Sequence, residues 1–216
     1  MGNAESNPVK NVDKRTVRRD HAPKFAAAIV NFRGVHADAF GRAVLDEARE
    51  EREGRVARVR VCVRRRPIFP HELKAGEFDV LTCSRTAICV HDGRVQKDCR
   101  SLFFKHHTFV FDRVFDERTD SAAVYTDSVS PLVRATVDDA APACVLMYGQ
   151  TGSGKTFTMS ALIELAATEL FELIDTADQV TVTYTELAGS GPRDMLNGGE
   201  DARLMTDRSG EVQVLL

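Results

Sequence analysis

An α/β fold is predicted by three consecutive features of the sequence. Residues 143–147 (ACVLM) form an apolar run long enough for a buried strand of a parallel sheet. A glycine-rich segment follows at 149–156 (GQTGSGKT). Apolar residues then recur at the spacing of one helix face over 162–174, without a helix breaker, and predict one continuous helix. A strand, a glycine loop and a helix in this order are typical of a sheet covered by helices.

Two segments of different character precede this region. Residues 1–24 are mostly polar and charged, and we predict a disordered polar leader. Residues 25–54 have a helical composition, and we predict a charged helical neck. Its apolar face would consist of Phe25, Ile29 and Phe32. Gly34 is expected to interrupt this helix, and Gly54 is expected to end it.

Alternation of apolar and polar residues predicts further strands. The candidate strands are 58–64, 79–82, 87–91, 108–115 and 179–187. Residues 121–138 have a helical composition, and Pro131 within them predicts a kink or a late helix start.

Cysteine usage and hydropathy exclude several classes of protein. The five cysteines form no C-x-x-C pair, so the pattern indicates neither a zinc site nor a disulfide framework. A reduced, intracellular protein is therefore expected. No apolar run reaches the length of a membrane span. Gly2 and Ser6 fit a short N-myristoylation pattern, but one acyl chain anchors weakly, so no stable membrane association is expected.

Charge is distributed unevenly along the chain. Residues 1–66 carry 16 Lys/Arg and 9 Asp/Glu, a net charge of +7, whereas residues 67–216 carry a net charge of −10. A basic N-terminal region such as residues 1–66 indicates an acidic partner, either nucleic acid, anionic lipid or an acidic protein surface. A solvated face of interleaved charges is the alternative interpretation.

The glycine-rich segment is a full match to the phosphate-binding pattern G-x-x-x-x-G-K-[ST]. The matching residues are Gly149, Gln150, Thr151, Gly152, Ser153, Gly154, Lys155 and Thr156. Backbone N–H groups and a helix N-terminus suit a polyphosphate, Lys155 would reach its β- and γ-phosphates, and the Thr156 hydroxyl would ligate Mg²⁺. A glycine-rich turn that binds nothing is disfavoured because the pattern fixes four positions between a predicted strand and a predicted helix.

The flanks of the loop resemble the signature of kinesin motor domains. They read YGQTGSGKTFTM, and the segments VRVCVRRRP (59–67) and FVFDRVFD (109–116) resemble the family's first strand and a later element, in the same order. The resemblance implies a P-loop NTPase fold, with a mostly central β-sheet flanked by helices and preceded by the helical neck. It also implies that ATP and Mg²⁺ are the cofactors, with microtubules rather than nucleic acid as the partner, in the cytoplasm and cytoskeleton.

The resemblance assigns further residues to the nucleotide. Arg64, Arg66 and Pro67 would form a wall against the adenine, with the guanidinium planes stacked on the base. Phe157 would close the other side of the base, or would instead be a core residue of its helix.

Two γ-phosphate-sensing motifs of the family are not found in the sequence. No N-x-x-S-S-R-S occurs, and residues 186–190 (ELAGS) only partly match D-x-A-G-x-E. These residues follow a predicted strand and precede RDMLN, an order that resembles an earlier segment of the family. Residues 55–216 are therefore expected to be the N-terminal portion of a motor domain, truncated before the switch regions. This fragment by itself is expected to be inactive in hydrolysis.

Within the family, the closest pattern is that of the internal-motor class, which depolymerises microtubules and has a helical neck ahead of the motor. Where that class has Lys-Val-Asp, this chain has Gln96, Lys97 and Asp98, so depolymerase activity is not predicted. The expected function of the full-length form is that of an ATP-binding microtubule motor. The alternative is a truncated, non-hydrolysing module that binds nucleotide or serves as an interaction domain.

Overall fold

The computed structural model describes residues 13–50, 59–96, 101–175, 178–189, 191–206 and 212–215. The acylation pattern at Gly2 and the Lys97–Asp98 pair lie outside the described residues. The chain forms two compact units, Met1–Leu173 and Ile174–Leu216.

The first unit contains six helices and five strands among its described residues. The helices are α1 (Lys14–Asp20), α2 (Ala22–Glu50), α3 (Pro70–Lys74), α4 (Ser121–Ser128), α5 (Ser130–Asp139) and α6 (Lys155–Leu173). The strands are β1 (Cys62–Arg64), β2 (Leu81–Cys83), β3 (Ala87–Val95), β4 (Leu102–Val110) and β5 (Arg113–Phe115).

Helix α2 packs against the antiparallel sheet β2-β3-β4. Phe25 and Ile29, which the sequence predicts on its apolar face, are each only 1% exposed. The Phe25 ring lies over Gly93 of β3 and packs edge-on against Phe104 of β4, with ring centroids 5.2 Å apart. The helix continues through Gly34 instead of being interrupted there. A helical glycine costs only about 1 kcal/mol, which this packing can offset.

Part of the segment predicted as a disordered leader is helical. Helix α1 lies within it, and Arg18 at its C-terminal end forms an ion pair with Asp92 of β3. On α2, Arg33 forms an ion pair with Asp79 at 2.7 Å, and its Nη2 also donates to the carbonyl of Leu81. These charge-assisted contacts hold both helices to the sheet, which composition alone does not reveal.

A second core lies under the parallel pair β1–β5. It consists of Phe115, Val124, Tyr125, Val129 and Leu162, contributed by β5, α4, the α4–α5 junction and α6. The helix predicted over 121–138 is divided at Val129, and Pro131 lies in the first turn of α5, where a missing backbone N–H is tolerated. The continuous helix predicted after the glycine loop is confirmed as α6.

The strand predicted at 143–147 is not formed. Within the described residues these positions belong to no β-ladder, and Leu146 is 86% exposed. Met147 alone packs against the second core. A strand is defined by its hydrogen-bonded neighbours, so an apolar run without a paired strand remains an extended segment.

The second unit contains β6 (Thr185–Ala188), β7 (Gly191–Asp194), β8 (Glu200–Asp201), β9 (Arg203–Thr206) and β10 (Val212–Leu215). Strands β6, β7 and β8 form one antiparallel sheet, and β9 pairs with β10. The strand predicted over 179–187 begins only at Thr185. Glu186, Leu187 and Ala188 belong to β6, which pairs with β7 so that Ala188 lies opposite Gly191.

None of the helices in the described part of the chain is both long enough and apolar enough to cross a membrane.

Candidate nucleotide-binding site

The glycine loop leads directly into helix α6, which begins at Lys155. Gly152 and Gly154 have φ angles of 81° and 95°, in the left-handed region that strains any residue with a side chain. These two glycines let the chain turn sharply into the helix. The free N–H groups of its first turn and the positive end of its dipole then face the loop, an arrangement that attracts anions.

Lys155 closes the loop on itself. Its Nζ donates to the carbonyl oxygens of Gly149 and Gln150, at 2.8 Å and 3.1 Å. The Ser153 N–H also donates to the Gln150 carbonyl, at 3.1 Å. The ammonium group is therefore held within the turn of the loop, where its N–H groups can exchange these carbonyls for phosphate oxygens as acceptors.

The first turn of α6 joins the loop to the protein core. Thr156 is exposed, so its hydroxyl is available to a ligand. Thr158 is only 7% exposed, and its N–H donates to the Gly154 carbonyl at 3.0 Å. Leu162, one turn further on, belongs to the second core.

Arg64, at the end of β1, is placed beside this first turn. Its Nη1 donates to the hydroxyls of Ser121 and Thr158, at 3.0 Å and 3.1 Å, and its Nη2 donates to the Thr119 carbonyl at 3.1 Å. One guanidinium thus connects β1, the start of α4 and the start of α6. This geometry fixes the position of the loop relative to the sheet.

Phe157 lies against the same arginine. The Arg64 Cζ is 5.6 Å from the centroid of the Phe157 ring, within the range of a cation–π contact. The Phe157 side chain is 71% exposed, which excludes the interpretation that it is a core residue of its helix. An exposed ring beside a guanidinium is a surface on which a planar base can stack.

Arg66 belongs to a different cluster from Arg64. Its guanidinium forks onto the Glu72 carboxylate of α3, at 2.5 Å and 2.8 Å, and lies 4.6 Å from the centroid of the Phe69 ring. Hydrogen bonds from Arg66 and from the Phe69 N–H lower the pKa of Glu72 to about 2. Pro67 is exposed, and its carbonyl accepts from Arg66 Nη1 at 2.9 Å.

The structure therefore brings Arg64, Phe157 and the loop together and places Arg66 with Glu72. Three partners of Arg64 were missed by sequence reasoning: Thr119, Ser121 and Thr158. Thr158 left one signal, because it lies four residues before Leu162 and so occupies a polar position on the buried face of α6.

Comparison with known proteins identifies relatives of this chain. Two curated relatives are similar to this chain: "Diatom spindle kinesin-1" of Cylindrotheca fusiformis, 31% identical over 157 residues, and "Kinesin-like protein KIN-13B" of Arabidopsis thaliana, 32% identical over 174 residues. The matches cover 71% and 78% of this chain, and 25% of each relative. The chain thus spans about a quarter of the length of these relatives.

A solved structure has a similar fold. The structure described as "Structure of a fast kinesin: Implications for ATPase mechanism and interactions with microtubules" superposes with a TM-score of 0.58 at 22% identity. The match covers 72% of this chain and 46% of the other. Residues 64–215 match the kinesin motor domain family. Since this match extends over most of the chain and includes the glycine loop, the protein belongs to the kinesin motor domain family.

Proposed function

We propose that this chain binds ATP with Mg²⁺ at residues 149–156 and forms the nucleotide-binding part of a microtubule motor. The observation that carries the proposal is the glycine loop at the start of α6, closed by Lys155 and fixed to β1 by Arg64. Family membership supports this use of the loop. Motor activity and microtubule binding are proposed only for a protein of the relatives' full length, because this chain spans about a quarter of that length.

The loop residues have distinct roles in this proposal. Lys155 Nζ exchanges the Gly149 and Gln150 carbonyls for β- and γ-phosphate oxygens. The exposed Thr156 hydroxyl ligates Mg²⁺, which neutralises charge on the phosphates when bound. The N–H groups of the first turn of α6 bind the remaining phosphate oxygens.

The adenine would stack beside the loop. Arg64 and Phe157 form one surface for it, and the sequence resemblance assigns Arg66 and Pro67 to the same task. The bidentate pair with Glu72 would hold the plane of the Arg66 guanidinium in the orientation needed to contact the base. A bidentate pair of this kind restricts rotation of the guanidinium, which favours stacking over a freely mobile side chain.

The alternative is a non-hydrolysing interaction module that uses a basic neck. The arginines described in α1 and α2 count against it, because Arg18, Arg19 and Arg33 form ion pairs with acidic groups of the same unit. Cations paired in this way contribute little net charge to an external acidic partner. The nucleotide site is therefore the better supported function.

Thermal unfolding with and without MgATP tests the proposal. A ligand at 100 times its Kd stabilises a protein by about 2.7 kcal/mol, which corresponds to a rise of several degrees in Tm. We expect this rise in the native chain, and we expect Lys155→Ala to abolish it. Lys74→Ala, at an exposed position in α3, is the matched control and should retain the full rise.

Two outcomes would overturn the proposed site. Saturating MgATP could leave the Tm of the native chain unchanged, or the rise could persist in Lys155→Ala. Measurements with and without Mg²⁺ test the role of Thr156 as a metal ligand. Thr156→Val should weaken nucleotide binding in the presence of Mg²⁺ and should have no effect in its absence.

A further inference from the structure

Two adjacent strands bring three metal-binding side chains together, away from the glycine loop. Cys89 and His91 lie two residues apart on β3 and therefore point to the same face of the sheet. His106 lies on β4 directly opposite His91 in the ladder. One ligand atom from each of the three lies within 4.8 Å of the others.

The distances between the ligand atoms of this cluster are close to those between atoms that bind the same metal ion. His91 Nδ1 lies 2.8 Å from His106 Nδ1, and the Cys89 Sγ lies 3.8 Å and 3.9 Å from these two nitrogens. Ideal tetrahedral zinc bonds place two nitrogens roughly 3.4 Å apart and a nitrogen and a sulfur roughly 3.6 Å apart. The ligand atoms therefore need to move by only about half an ångström.

We propose that Cys89, His91 and His106 form a binding site for Zn²⁺. The donor set, one thiolate and two imidazoles, is of the type that zinc prefers among the common divalent ions. Two imidazole nitrogens 2.8 Å apart also repel each other unless a proton or a cation lies between them. A zinc ion relieves this repulsion and uses the thiol, whose proton is released to solvent as the Zn–S bond forms.

A further hydrogen bond orients one of the ligands. His91 Nε2 is 2.7 Å from the Thr82 Oγ1 of β2. With its proton on Nε2, His91 donates to this hydroxyl and directs the Nδ1 lone pair into the cluster. Arg33 Nε donates to the same oxygen at 3.4 Å and helps to fix it. Zinc-bound histidines usually have a partner of this kind on the second ring nitrogen.

Two of the three proposed ligands, His91 and His106, line a cavity. The cavity has a volume of about 270 Å³ and lies between α2 and the sheet, with Phe32, His36, His91, Phe104 and His106 among its lining residues. It is large enough to hold a water molecule as the fourth ligand. The site thus has three protein ligands and one open position.

The neck helix covers the site. The Phe32 ring stacks on the His106 ring, with centroids 4.9 Å apart, and contacts the His91 ring edge-on at 4.7 Å. Bound zinc would fix both imidazoles under this ring. Metal binding is therefore expected to stabilise the packing of α2 on the sheet, independently of nucleotide.

Titration of the purified chain with Zn²⁺, in competition with a chromogenic chelator, tests the proposal. We expect one ion per chain, and we expect Cys89→Ser and His106→Ala each to weaken binding by more than about 100-fold. His106 is exposed, so its replacement tests the site even if the buried Cys89→Ser variant fails to fold. The matched controls are His107→Ala, on the opposite face of β4, and Cys144→Ser, an exposed thiol.

Replacement of zinc by Co²⁺ supplies a second readout. A thiolate-to-cobalt charge-transfer band is expected in the native chain and in His107→Ala, and it should disappear in Cys89→Ser. Stoichiometric zinc binding that survives in His106→Ala would overturn the proposal. So would the lack of stoichiometric binding to the native chain, which would leave the two histidines joined only by an N–H···N hydrogen bond.

Discussion

Arg64 connects β1 to the start of α6, and we propose that both the stability of the loop and the binding of nucleotide depend on it. Replacement by alanine removes three hydrogen bonds and leaves the Thr158 hydroxyl, in a side chain only 7% exposed, without its guanidinium partner. An unsatisfied buried polar group costs about 1–3 kcal/mol. We expect Arg64→Ala to lower the free energy of unfolding by this amount, as measured by urea denaturation, and to weaken MgATP binding as well.

Phe157→Ala separates the effect on stability from the effect on MgATP binding. Its ring is 71% exposed, and surface replacements usually change the free energy of unfolding by less than about 0.5 kcal/mol. We expect this variant to be as stable as the native chain and to bind MgATP more weakly, because one stacking surface is lost. A stable Arg64→Ala variant, or undiminished affinity in Phe157→Ala, would contradict the assignment of these side chains to the site.

At the scale of secondary structure elements, Gly93 determines how closely α2 approaches β3. A Cβ at this position would lie 2.8–3.0 Å from three atoms of the Phe25 ring, closer than van der Waals contact allows. Phe25 is buried between Phe78 and Phe104, so its ring has little room to move. We expect Gly93→Ala to destabilise the unit by about 1–3 kcal/mol through overpacking.

Gly34→Ala is the matched control within the same pair of elements. Gly34 lies inside α2, and a Cβ there meets no atom within 4 Å. Alanine is favoured over glycine in a helix by about 1 kcal/mol, so this variant is expected to be more stable than the native chain. Equal changes in the midpoint of denaturation for the two variants would show that α2 does not pack on Gly93.

Local patterns predicted some elements, and non-local contacts decided others. Helix α6 was predicted because its apolar spacing and the preceding loop are contained in one stretch of chain. The strand predicted at 143–147 was wrong, since a ladder requires a partner strand and local pattern does not supply one. The cluster of Cys89, His91 and His106 was missed because cysteine spacing suggested no zinc site, whereas the ligands meet only through the register of β3 and β4.

The candidate nucleotide site also combines features that the local sequence predicts with features that depend on non-local contacts. The motif by itself identified the loop residues, including Lys155, since phosphate binding needs these residue types at fixed spacing. The hydrogen bond from Arg64 to Thr158 joins residues 94 positions apart in the sequence, and only the fold reveals it. The sequence also does not show that Arg66 pairs with Glu72, because an acid six residues away has many possible partners.

At the scale of the whole molecule, binding of nucleotide and its hydrolysis are separable. Hydrolysis requires groups that position a water molecule and respond to the γ-phosphate. The family resemblance assigns these tasks to the patterns N-x-x-S-S-R-S and D-x-A-G-x-E, neither of which occurs in residues 1–216. We therefore expect residues 1–216 to bind MgATP through Lys155 without microtubule-stimulated hydrolysis.

Phosphate release, measured with and without microtubules, checks this expectation. The native residues 1–216 and their Lys155→Ala variant should give the same background rate, while an active kinesin motor in the same assay should respond to microtubules. Stimulated turnover above the Lys155→Ala background would show that other groups of this chain sense the γ-phosphate. We expect binding without turnover, because the proposed loop site would hold the phosphates while the reacting water needs separate ligands.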